Sequence, residues 1–250
     1  MCSDTWWTVR GLVLSSVYLL TLSQLSGRWR LLVMSVLALM PIVLTESLVL
    51  VPSGASVDEF ELIVLNTMLA GSITPLVVLA IATVAFGNEV EDRTLANLTL
   101  APIPRWQIVV PKLLATVSVA APFIAISALA TSHVAFNADA TATIAVTVST
   151  LVGLALYSSA FVWLGLATTQ AVGVGLLYIV LWEGFFTTYI SGVRLFSIRA
   201  YSIALMHGLD ERRFADTENL GFGVTVAVSV VVFFGFLLLT IRKLRNMDVP

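Results

Sequence analysis

Long apolar runs separated by short polar punctuation dominate the chain, and their lengths predict helices that cross a membrane. A bilayer core takes roughly 20 apolar helical residues per crossing. Six segments meet that requirement: Leu31–Val51, Leu62–Phe86, Ile108–Ser132, Thr143–Thr168, Val172–Ile190 and Leu220–Ile241. Ahead of the first lies Trp6–Leu25, apolar but mixed, with Arg10, two tryptophans, Thr8, Ser15, Ser16, Thr21, Ser23 and Gln24 among its Leu and Val. Such a mixture suits a helix lying in the membrane interface, which assigns residues 1–30 to an N-terminal interfacial helix. A seventh crossing and an uncleaved signal peptide are the other readings. Against the signal peptide stand the lack of a basic region before the apolar run and the Arg28-Trp29-Arg30 anchor after it.

Composition agrees with the pattern. With 58% hydrophobic and 11% charged residues and a mean hydropathy of +0.99, the sequence is too apolar for a soluble domain. The single cysteine, Cys2, allows neither an internal disulfide framework nor a cysteine metal site. A net charge of -2 leaves no basic stripe for nucleic acid. Only two lysines occur, Lys112 and Lys243, and neither lies in a G-x-x-x-x-G-K-S/T loop that could cradle nucleotide phosphates.

Basic residues also set an orientation. Arg10, Arg28, Arg30, Arg93, Arg105, Lys112, Arg242, Lys243 and Arg245 group on one side of the six crossings, and Arg194, Arg199, Arg212 and Arg213 fall on the other. Nine against four of the 13 basic residues place the first set, and both termini, on the cytoplasmic side by the positive-inside rule.

One charged, amphipathic interlude interrupts this pattern, Phe86 to Lys112. Asn88, Glu89, Glu91 and Asp92 precede an apolar set at Leu95, Leu98 and Leu100, and Pro102 and Pro104 follow. Acidic residues in a first turn complement a helix dipole, and the prolines stop the helix. Its leucine face lies on the membrane surface, packs under the bundle, or docks into a groove on a soluble partner.

The order E-x-E-D-R-T-L, then L-T-L-A-P-I-P-R-W, then K-L-L resembles the segment after the second span of ABC-2 type ABC transporter permeases. Further along, Thr168-Thr169-Gln170 and the run LLYIVLWEGFF, continuing to VRLFSIRAYS, are similar to members of that family as well. The resemblance implies an all-α integral membrane domain over residues 1–250. It would have six transmembrane helices, a cytoplasmic coupling helix over 87–107, short re-entrant outer helices over 191–219, and a cytoplasmic tail over 242–250.

It also implies a permease subunit that is not itself an enzyme, paired with a second permease copy as homodimer or heterodimer. Separate ABC ATPase subunits would bring ATP and magnesium, with no cofactor on this chain, in the cell (inner) membrane. Carried over by position, Glu89, Glu91, Asp92, Arg93, Thr94, Leu95, Leu98, Pro102 and Arg105 would meet the ATPase, with Thr168, Thr169 and Gln170 as a second contact. Arg93 and Pro111 stand where family members commonly have glycine.

Two carboxylates within the apolar runs, Glu46 and Glu183, must face the bundle interior, water or a partner. Glu46 is close enough to a boundary to snorkel. For Glu183, an ion pair with Arg194 or Arg199 and a direct substrate contact are both open, and the resemblance makes all four candidates for the pathway or its outer gate. The outer arginines read equally as headgroup anchors. His133 and His207 have no metal-ligand spacing.

Two other classes compete. An intramembrane hydrolase would use Glu183, His133 or His207, but the sequence holds no H-E-x-x-H or G-x-S-x-G. An ATP-independent channel or carrier would use Glu46 and Glu183.

Overall fold

The computed structural model describes residues 4–50, 61–91, 104–187, 196–210, 212 and 221–246, and every described element is helical. In chain order these are α1 (Asp4–Leu25), α2 (Arg28–Leu50), α3 (Glu61–Ile73), α4 (Thr74–Ala82), α5 (Val84–Glu91), α6 (Trp106–Ala135), α7 (Ala140–Ala167), α8 (Ala171–Leu177), α9 (Tyr178–Phe186), α10 (Ile198–Leu209) and α11 (Phe222–Asn246). Among the described residues five stretches are long and apolar enough to cross a membrane: Arg28–Leu48, Ile63–Val90, Trp106–Ala135, Ala140–Ala167 and Phe222–Asn246. They match five of the six expected crossings. The remaining one, expected over Val172–Ile190, is described as the shorter apolar helix Ala171–Phe186, and residues 188–190 lie outside the described set.

The bundle is organised around α7. It forms a hairpin with α6, and α3 to α5, α8, α10 and α11 also pack on it. Its first residue is earlier than hydropathy alone indicates, because Asp139 caps the helix by accepting from the Thr141 amide at 3.0 Å. The turn before it is tight, with Asn137 and Ala138 both at positive φ. A helix also occupies the N-terminal stretch. α1 packs chiefly along α6, and the Tyr18 hydroxyl lies 3.1 Å from Ser118 Oγ, well inside α6.

Small residues set the closest approaches. Gly165 of α7 rests on the Thr83 carbonyl at the α4–α5 break, Gly153 on Ser202 of α10, and Gly175 of α8 on Leu79. Gly175 therefore serves packing within the chain. Several hydroxyls inside the apolar helices are satisfied by their own backbone: Thr45, Thr83, Thr116, Thr147 and Thr150 each donate to a carbonyl four residues back. Water cannot do this in hydrocarbon, so the chain does it itself.

Two segments depart from α-helix. α3 and α9 are wound in the π register, a rare winding with i→i+5 hydrogen bonds that is common at functional sites. α3 gives way to α winding at Thr74-Pro75, where the proline occupies the first turn of α4 and contributes no backbone donor.

A Cβ at Gly165 would overlap the Thr83 carbonyl, whereas one at Gly173 meets nothing within 4 Å. Gly165→Ala should therefore destabilise the protein by about 1–3 kcal/mol, and Gly173→Ala should leave its melting temperature unchanged or slightly raised. Thermal unfolding in detergent compares the two.

Candidate functional site

The candidate residues fall into two groups at opposite ends of the bundle. At the first end, α5 and α6 flank residues 92–103. Lys112 on α6 is buried at 2% exposure, and its ammonium sits 2.6 Å from Glu89 Oε1. The same Nζ donates to the Ala85 carbonyl and lies 4.5 Å from the centre of the Phe86 ring. An ammonium buried in an apolar bundle is tolerable only with such partners. Their effect is to pin the end of the second crossing to the start of the third, on either side of the amphipathic interlude.

Arg105 and the Thr168–Gln170 link stand at this same end. The link is a tight polar turn, in which the Gln170 amide donates to Thr168 Oγ1 at 3.2 Å, and Thr169 and Gln170 are exposed. Asp92, Arg93, Thr94, Leu95, Leu98 and Pro102, expected to meet a partner, lie outside the described residues, as does the side chain of Glu91.

The second group is built on Glu183. Its carboxylate is fully buried, at 0% exposure, and receives three hydrogen bonds: Tyr178 Oη to Oε1 at 2.9 Å, Ser197 Oγ to Oε2 at 2.5 Å, and the Ile198 amide to Oε1 at 3.0 Å. Ser197 is the N-cap of α10 and also accepts from the Ala200 amide at 3.0 Å. The carboxylate thus sits at the N-terminus of α10, where free amides and the helix dipole favour negative charge.

Arg199 is close by but does not form the ion pair considered for it. Its guanidinium donates to Asn66 Oδ1 at 2.8 and 2.6 Å and to the Glu183 backbone carbonyl at 3.4 Å. Three neutral donors serve the carboxylate, and the arginine reaches past it to α3. Around the cluster lie Tyr157 and Tyr201. Burial first, and then the Glu183 charge, push the Tyr201 hydroxyl above its ordinary pKa.

Glu46 is exposed on α2 and His133 is exposed at the end of α6, while His207 is buried in α10. Among the described residues no group of three or more His, Cys, Asp or Glu side chains could hold a metal ion. Arg194 lies outside the described residues. Asn66, Tyr178 and Ser197 escaped the sequence reading. Of these, only Ser197 carried a signal, as a serine before an apolar-periodic run.

Apolar crossings, helix-only architecture and buried charges held between helices define a multi-pass α-helical membrane protein. The family model described as ABC-2 family transporter protein matches residues 28–198, and the chain belongs to that family. Among curated proteins none matches the sequence.

Removing one partner of a buried ion pair strands the other charge. Lys112→Met should cost about 3–5 kcal/mol, and adding Glu89→Gln should recover most of that loss. Chemical or thermal unfolding of the wild type and the two variants checks the order.

Proposed function

We propose that the chain is the permease subunit of an ATP-driven ABC-2 type exporter and couples ATP hydrolysis on a separate subunit to export. Family membership over residues 28–198 carries this reading. It is supported by the anchoring of both flanks of residues 92–103 through Lys112, and by a sequence without a P-loop of its own. A partner therefore brings ATP and magnesium. The coupling element would be a helix within residues 87–107, on the cytoplasmic side, and Thr168–Gln170 would form the second contact. A sixth crossing would be completed beyond Phe186, and a second permease copy would supply the other half of the pathway.

Force follows from the anchoring. When two ATPase subunits close on nucleotide, a docked helix moves with them, and rigid crossings carry the displacement across the bilayer. Glu89 is already engaged with Lys112 at the end of the second crossing, so Glu91 and Asp92 are the better probes of the contact itself.

Purification from native membranes in mild detergent should recover an ATP-hydrolysing partner. The double reversal Glu91→Lys, Asp92→Lys should weaken that association tenfold or more without lowering the melting temperature. If no ATP-hydrolysing activity accompanies the wild-type chain, the proposal fails.

A further inference from the structure

α1 precedes residues 28–198, the part of the chain that the family model matches, and it is not built like a surface helix. A helix at rest in the membrane interface needs its polar and apolar residues on opposite faces. Those of α1 are spread almost evenly round its axis. On its outward side the exposed Leu19 and Leu20 stand among Ser15, Ser16, Ser23 and Gln24. Thr21 and Ser23 donate to the Val17 and Leu20 carbonyls, both at 2.8 Å, which is how hydroxyls are satisfied within hydrocarbon.

The packing of α1 sets its depth. Leu14, Val17, Tyr18, Thr21, Leu22 and Leu25 form its less exposed stripe, at helical spacing over three turns, and α6 is the helix it follows. The Tyr18 hydroxyl donates to Ser118 Oγ at 3.1 Å. Ser118 stands about 18 Å along α6 from Trp106, its first residue. An interfacial helix sinks only about 5–10 Å.

A second measure of depth agrees. Tyr18 stands about 15 Å along the helix from Arg28, where α2 begins after the short link Ser26-Gly27. This link carries the marks of an interface: Trp29 is exposed, and Arg30 Nη1 donates to the Gln24 carbonyl at 3.0 Å, closing the last turn of α1. Equal depths from the two ends mean that α1 runs antiparallel to α6, back toward its Trp106 end.

We propose that α1 is an additional membrane crossing that braces the third one. Its 22 residues measure about 33 Å, enough to span the hydrocarbon core. The helix reaches the interface at residues 26–30, so its other end lies at the opposite face. With α2 starting on the cytoplasmic side, residue 2 is outside, against the expectation drawn from basic residues. Of that group only Arg10 changes place, and it stands about 9 Å from the outer end of α1. Every later crossing keeps its orientation. The brace meets α6 at a weak point, because Pro122 has no amide to offer the carbonyl four residues back, and that residue is Ser118.

The test uses the chain's single cysteine, Cys2, with a membrane-impermeant maleimide on sealed right-side-out vesicles before and after permeabilisation. A second form carries Gly27→Cys in a Cys2→Ser background, at a position where a Cβ meets nothing within 4 Å. Cys2 should label in sealed vesicles and the thiol at position 27 only after permeabilisation. Ser3→Cys in the same background repeats the first reading should Cys2 prove unreactive. Labelling of both ends of α1 from one side overturns the crossing. Opposite sides in the reverse sense would keep it and overturn the orientation used in the permease reading, so the two fail separately.

Ser16→Cys in the Cys2→Ser background, exposed but near mid-membrane, should react at least tenfold more slowly than Cys2 after permeabilisation, and an equal rate overturns the crossing. For the brace, Tyr18→Phe should speed hydrogen exchange of the 118–121 amides at least threefold while peptides from α7 exchange as in wild type. Unchanged exchange there overturns the brace.

Discussion

One buried ammonium fixes the second and third crossings to each other at one end of the bundle. Lys112 has been taken out of water into an apolar bundle, and the cost of desolvating it is offset only by Glu89, the Ala85 carbonyl and the Phe86 ring. All three partners belong to the last turns of the second crossing. The second and third crossings therefore cannot slide past one another at this end without stranding a charge. A displacement imposed on residues 92–103 enters both helices together.

From there the path runs through α7, the helix on which nearly everything else packs. Gly165 lets it approach the backbone at the α4–α5 break, and Gly153 lets it approach α10. At the far end the constraint recurs with the opposite sign. Glu183 is a buried carboxyl group that accepts from a helix N-terminus and two hydroxyls, and Arg199 is diverted to Asn66. Hydrocarbon forces both charges to be held by specific groups from other segments, and each such bond fixes one helix relative to another. The polar groups, few as they are, set the relative positions of helices whose apolar faces could pack in several registers.

The crossings were legible because about 20 apolar residues in a row have few alternatives. Asp139 shows the limit of that signal, since a capping bond sets the start of α7 a few residues ahead of where hydropathy places it. Pairing across sequence was not legible: Lys112 and Glu89 flank the interlude visibly, but nothing local says that they meet. Nor was the π winding of α3 and α9, because composition does not separate i→i+5 from i→i+4 bonding. Glu183 was correctly suspected of needing a partner. Of its actual partners, the serine and the backbone amide lie on a segment whose approach depends on the tertiary fold, and the tyrosine comes within reach only through the π winding of α9 itself.

The central claim of the permease proposal is that the Lys112–Glu89 bond carries force between residues 92–103 and the crossings. The most direct measurement is ATP hydrolysis by the reconstituted complex carrying Lys112→Met together with Glu89→Gln, a pair that removes both charges and leaves neither stranded. The account predicts a folded complex that still binds its ATPase, in which export no longer follows hydrolysis and the permease no longer alters the hydrolysis rate. Coupling equal to wild type in that variant would contradict it.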